Sequence, residues 1–221
     1  MTAPGKPALA RVFPFAAFIA FLVAQPLFDG VMDTRWLAAA RGLVVAAILA
    51  YFWKAYVELR QAPAVPAWHW LLGITAGAAV FGVWITLDAG WAVLGEMGQG
   101  FVPLRPDGSL DTTLVLLRLA GLALVVPVME ELFWRSFLMR WIDRRDFLAV
   151  DPRRASLVAF GVSCALFAVE HSQWLAGLAA GAAYAGLYML SRNLWIPIAS
   201  HATTNALLGF WILATGNWRF W

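Results

Sequence analysis

Stretches of about 20 apolar residues recur along this 221-residue chain, and they constrain its fold more than any other feature. A helix rises ~1.5 Å per residue, so each stretch can cross the ~30 Å hydrocarbon core of a bilayer. Composition agrees: 62% of the residues are apolar, 13% are charged and mean hydropathy is +0.72. A soluble domain carries ~25% charged residues, so about half of the usual charge is missing. That excludes a water-solvated globule and a disordered chain. The expected fold class is all-α, a polytopic membrane helix bundle forming one integral membrane domain over residues 1–221.

Seven apolar blocks can be drawn, at residues 12–28, 36–57, 68–87, 112–142, 157–173, 174–191 and 194–215. The first follows a short head with Lys6 and Arg11, as in a signal peptide. No small-residue cleavage site follows and further spans do, so it reads as an uncleaved first helix. Pro63 and Pro66 oppose helix continuation between the second and third blocks. Residues 89–111 read as a loop or short amphipathic piece, with Trp91, Met97 and Phe101 placed along the membrane interface; an interfacial or short helix there would be an eighth. The fourth block is too long for one perpendicular span, so its end should leave the membrane. Gly177 and Gly181 have the spacing that lets two helices approach closely.

The net charge of +3 comes from 16 basic against 13 acidic residues, scattered between blocks rather than gathered in a patch, which argues against nucleic acid as a partner. With seven spans, ten basic residues fall on the side of the N-terminus: Lys6, Arg11, Lys54, Arg60, Arg140, Arg144, Arg145, Arg153, Arg154 and Arg192. Arg35, Arg105 and Arg219 fall on the other side, and Arg41, Arg118 and Arg135 lie within blocks. The bias predicts a multi-pass protein of the cell (inner) membrane with a cytoplasmic N-terminus. The single cysteine, Cys164, permits no intramolecular disulfide and reads as a small buried apolar residue.

Charge at membrane depth costs roughly 2.5–3.5 kcal/mol per group on insertion scales, so each ionisable residue inside a block needs a reason. In the fourth block Glu131 and Arg135 lie four apart, on one helix face, where they can pair. Glu130 points about 100° away and is left free to act, with Pro127 placed to bend the helix just before it. The bland alternative is that these charges sit at a helix end and snorkel to the interface. The fifth block carries Phe167, Glu170 and His171; the seventh carries His201 and Asn205 on one face. His69, at the start of the third block, reads as interfacial. A carboxylate and imidazoles can activate water, and neutral donors can stabilise an oxyanion. One Glu and two His could also bind zinc, through Glu130, His171 and His201, although the usual helical zinc-hydrolase spacing is missing. No cofactor is expected; zinc is the alternative.

The three motifs Glu130-Glu131-xxx-Arg135, Phe167-xxx-His171 and His201-xxx-Asn205, in this order on separate helices, resemble the CAAX protease and bacteriocin-processing (Abi) family of intramembrane proteases. The resemblance covers residues 112–210, the expected protease core. The run from Glu130 to Phe137 also looks like the CAAX prenyl protease-related branch that accompanies exosortase sorting systems. The resemblance implies a glutamate-dependent endopeptidase in which Glu130 is the general base and His171 helps to hold the water. His201 and Asn205 would stabilise the oxyanion; Glu131, Arg135 and Phe167 would order the site. Glu170 lies outside the family pattern.

The leading reading is an intramembrane protease that cuts a membrane-associated protein or peptide near the cytoplasmic side, with a protein-sorting partner as a further candidate. An ion-coupled transporter is the second, lowered by the lack of a visible internal repeat. A non-catalytic scaffold or immunity protein with the same fold is the third. Counting ~1.5 Å per residue from the assigned cytoplasmic ends puts Glu130 ~18 Å deep, His171 ~21 Å and His201 ~11 Å, a spread that a shared site must close.

Overall fold

The computed structural model describes residues 6–95 and 100–221; Met97 lies outside them. Seven long helices build the bundle: α1 (Lys6–Ala24), α2 (Arg35–Tyr51), α3 (Ala67–Thr86), α4 (Thr112–Asp143), α5 (Leu157–Val169), α6 (Trp174–Ser191) and α7 (Trp195–Thr215). Among the described residues there is no strand, only an isolated bridge between Leu104 and Leu110. The chain is an all-α membrane bundle.

By length and composition four helices are able to cross a membrane: α1 with its extension to Phe28, α3, α4 and α6. The other three depart from that standard for local reasons. Helix α2 has 17 residues. Helix α7 has 21, but its apolar character is diluted by Ser200, His201, Thr203, Thr204 and Asn205. Helix α5 has only 13 residues and stops at Val169, so Glu170 and His171 sit in a turn rather than within a helix running to Gln173. That turn is tied to the end of α3 and the following loop. Gln173 Nε2 donates to the carbonyls of Trp84 at 2.7 Å and Leu87 at 3.2 Å, and Leu94 N donates to Ser172 O at 2.7 Å. Between 89 and 111 the described residues form a 3-10 turn at Gly90–Ala92 and extended chain, with no eighth long helix; Trp91 is exposed and Phe101 packs on Trp221.

Helix α4 starts at Asp111, whose carboxylate accepts from the backbone N–H of Thr113 at 3.1 Å and Leu114 at 3.2 Å. Its 32 residues rise ~48 Å, more than the hydrocarbon core, so one end leaves the membrane as expected. Two π-helical turns, Gly121–Val125 and Leu132–Leu138, flank the α-helical Val126–Glu131. Pro127 supplies no N–H to the i−4 carbonyl, which loosens the ladder where the first π turn ends. The effect of the proline is thus a change of helical winding around the two glutamates.

Glycines set the closest helix contacts. A Cβ at Gly77 of α3 would lie 2.2 Å from the Ser200 carbonyl oxygen of α7. At Gly177 and Gly181 of α6, a Cβ would meet the backbone of Ala168 at 3.2 Å and of Cys164 at 3.3 Å, the close approach expected from their spacing. Cys164 is buried in this seam.

At the end of the bundle that holds Lys6, a buried ion cluster joins α1, the short helix Val57–Arg60 and α4. Arg11 Nε donates to Glu58 Oε1 at 2.7 Å, its Nη2 pairs with Glu58 Oε2, and Ser136 Oγ donates to Glu58 Oε1. Arg140 Nη2 donates to Ser136 Oγ at 2.7 Å and lies 3.8 Å from Glu58 Oε1. Arg11 and Arg140 are therefore buried helix residues, not loop charges, because a carboxylate on the connector compensates both. Removing these two from the ten leaves eight basic residues against three, and the bias survives. His69, in the first turn of α3, is buried and stacked on Trp68.

Burial pushes the Glu58 carboxyl up, but the Arg11 hydrogen bond and charge, with the Ser136 bond, more than offset it and hold it below its usual range. Its contribution to stability is therefore present above the unfolded carboxyl pKa of ~4.3 and lost as pH falls through the lower folded value. Glu58→Gln should cost about 3–5 kcal/mol at neutral pH, with the gap to wild type closing below about pH 4, as read by thermal unfolding in detergent. Gly77→Ala should lower stability by about 1–3 kcal/mol in the same assay, since α7 must move away from α3.

Candidate active site

The residues singled out on α4, α5 and α7 converge on one cavity of about 280 Å³. Glu130, Phe167, Glu170, His171, His201 and Asn205 all line it. The ~10 Å spread in depth expected from the sequence closes because α5 is short and its following turn folds against α3. Glu131 and Arg135 stand behind the lining, at 0% and 1% exposure.

Glu131 is the centre of the polar cluster. Its Oε1 lies 3.2 Å from Arg135 Nη1 and 3.1 Å from His201 Nδ1. A carboxylate oxygen can only accept, so Nδ1 carries the proton and Nε2 is the other, free ring nitrogen. The Arg135 guanidinium lies 4.3 Å from the Phe167 ring centroid and 5.4 Å from that of Tyr184. Aromatic faces thus cover a charge that has little access to water. The His201 ring stacks on Tyr184 at 4.8 Å, and Tyr184 OH donates to Thr204 Oγ1 at 2.8 Å. Thr204 Oγ1 donates to Gly77 O at 2.8 Å, which links the ring stack to the close α3–α7 contact.

His171 is held by its other neighbours. Its Nδ1 lies 2.8 Å from the Phe167 carbonyl, an acceptor, so Nδ1 donates and Nε2 keeps its lone pair. Its ring packs beside Phe167 at 4.7 Å and edge-on to Trp84 at 5.2 Å. Asn205 Nδ2 donates to Leu122 O at 2.9 Å, inside the first π turn, which takes one of its two N–H groups. Glu130 is 5% exposed and its Oε2 has no hydrogen-bond partner among the described residues. Glu170 Oε2 is also buried without one. Glu131 Oε2 is likewise buried without a partner, so the two adjacent glutamates differ in Oε1, which in Glu131 meets both Arg135 and His201 and in Glu130 meets no hydrogen-bonding group among the described residues.

Among the described residues no three His, Cys, Asp or Glu side chains are grouped so as to hold a metal ion. Glu130, His171 and His201 line the same cavity. Tyr184, Trp84 and Thr204 were not singled out by sequence, because isolated aromatic and hydroxyl residues in apolar helices give no periodic or charge signal.

From Glu130 the cavity extends along Val126, Leu122 and Arg118 on α4 and along Leu208 and Ile212 on α7 to Trp221, toward the end of the bundle opposite Lys6.

Residues 112–207 match the family model described as Type II CAAX prenyl endopeptidase Rce1-like. That segment, just under half of the residues, runs from α4 into α7 and holds the three motifs; over it the chain is similar to the CAAX protease family. The match does not single out the exosortase-associated branch. No curated protein matches the chain, and no solved structure does.

Arg135→Ala should destabilise the protein by about 3–5 kcal/mol, since it leaves Glu131 buried with only His201 as a partner. Arg135→Lys should recover part of that loss, because the charge returns while the planar contact with Phe167 and Tyr184 does not. Unfolding of both variants against wild type checks the ordering.

Proposed function

We propose that this protein is a glutamate-dependent intramembrane endopeptidase that hydrolyses a peptide bond in a membrane-associated protein. The observation that carries the reading is the contrast between the free Glu130 carboxylate and the engaged Glu131, within one cavity shared with two histidines. The family match implies the protease activity; the choice of a glutamate rather than a metal rests on this geometry.

In this mechanism Glu130 takes a proton from water as the oxygen adds to the scissile carbonyl carbon. His171 Nε2, free because Nδ1 is tied to Phe167 O, holds the same water. The oxyanion receives the second Asn205 N–H and a hydrogen bond from His201 Nε2. For Nε2 to donate, the His201 ring must carry a second proton, with Nδ1 held 3.1 Å from a Glu131 oxygen that it shares with Arg135. Collapse of the tetrahedral intermediate breaks the C–N bond, and the protonated Glu130 returns its proton to the leaving amine. Atoms and charge then balance without a further reactant.

The cell membrane is the proposed location, with the N-terminus in the cytoplasm, since eight basic loop residues lie at that end and three at the other. With that orientation the cavity lining runs from Glu130 toward the external end of the bundle, which in this reading admits the substrate from the outer half of the bilayer. A membrane-anchored substrate and an external sorting partner fit that placement.

Incubating purified protein with candidate membrane substrates tests the chemistry. Glu130→Gln should lower cleavage by about 10³-fold or more, and His171→Ala and His201→Ala by about 10²–10⁴-fold at equal folded yield. Chelators should leave wild-type cleavage unchanged; loss restored by zinc would reject the glutamate mechanism. Reporters fused after Trp221 should read as external, and reporters inserted at Arg145 as cytoplasmic.

A further inference from the structure

Two arginines on the same cavity take no part in the chemistry above. Arg41 of α2 is 6% exposed, and Arg118 of α4 is half-buried with its Nε atom buried and without a hydrogen-bond partner. Among the described residues neither forms an ion pair, whereas Arg11, Arg35, Arg135, Arg140, Arg192 and Arg219 all do. Helices α2 and α4 are in contact where a Cβ on Gly42 would meet Gly121 Cα at 3.6 Å. Arg41 and Arg118 flank that contact, and both line the site cavity and two adjoining ones. Each guanidinium is covered on one face by an aromatic ring, Phe18 at 4.5 Å from Arg41 and Phe101 at 5.1 Å from Arg118. Two neighbouring cations at membrane depth repel each other and cost desolvation energy, which an anion placed between them would offset.

From these observations we propose that Arg41 and Arg118 form a carboxylate-binding subsite for the substrate peptide, at the outer end of the cavity. The proposal rests on the protease reading. Guanidinium groups bind carboxylates in paired hydrogen bonds, and two of them can hold one carboxylate from both sides. The site cavity of about 280 Å³ lies just below the ~300–1,000 Å³ range for ligand pockets, and the adjoining cavity that both arginines also line adds about 490 Å³. Arg118 and Glu130 are separated by ~18 Å of helix, which an extended peptide covers in about five residues. The subsite thus acts as a ruler that sets how far from a carboxylate the chain is cut. The carboxylate can be the C-terminus of the substrate or an acidic side chain.

Binding of fluorescent apolar hexapeptides to full-length Glu130→Gln protein in detergent tests this without requiring hydrolysis. Three peptides are compared: a free C-terminal acid, its C-terminal amide, and the amide with a terminal-proximal Glu. At least one carboxylate form should bind about 10–100-fold tighter than the neutral amide. Tightening by the free C-terminus alone, or by Glu alone, identifies the source. Arg41→Gln or Arg118→Gln in the same background should remove the preference while the neutral amide keeps its affinity, and Arg118→Lys should retain part of it. Equal binding of all three peptides, no binding, or a preference that survives both Gln variants would overturn the proposal. So would displacement of all three peptides alike by phosphatidylglycerol that requires the arginines, which assigns them to a lipid headgroup. Discrimination retained in a protein that cleaves nothing rejects the protease reading alone; cleavage without discrimination rejects the subsite alone.

Discussion

Glu131 is the group on which the candidate site depends. A fully buried carboxylate is tolerated only if its charge is matched, and here Arg135 and His201 do so through Oε1, while Oε2 is buried without a hydrogen-bond partner among the described residues. The consequences spread outward. Arg135 must then be covered by Phe167 and Tyr184, and His201 must stack on Tyr184. Tyr184 in turn needs Thr204, which needs the Gly77 carbonyl, which requires α3 and α7 to touch. One ionised oxygen thereby couples five helices, α3 to α7.

The backbone around this cluster is irregular where the chemistry is proposed. Helix α4 changes winding on both sides of Val126–Glu131, and α5 gives way to a turn before His171. Irregular backbone at membrane depth persists only where protein or a cavity satisfies the freed groups. Leu122 O accepts from Asn205 and Phe167 O accepts from His171, so two of these carbonyls orient the very side chains that line the cavity.

The two ends of the bundle handle charge differently. At the Lys6 end Glu58 gathers Arg11 and Arg140 into a closed, compensated cluster that pins α1 to α4. At the other end Arg41 and Arg118 line a cavity whose carboxylates, Glu130 and Glu170, form no ion pair with them among the described residues. Closed networks hold helices together; open ones leave room for a ligand's charge.

Much of the fold was legible in the order of residues. The apolar blocks drew the helices to within a few residues, since 20 apolar residues in a row have few alternatives to a helix in lipid. The scarcity of charge made Glu130, Glu131, Arg135, Glu170, His171 and His201 stand out, and their i,i+4 spacing marked the Glu131–Arg135 pair. Sequence could not tell that α5 ends at Val169, that Arg11 and Arg140 are buried against Glu58, or that His201 leans on Glu131. Nor could it tell toward which end the cavity runs. These are contacts between residues 40 to 130 positions apart, and hydropathy reports only whether a segment prefers lipid. Which charges meet, and where space is left between helices, was decided by how the helices pack.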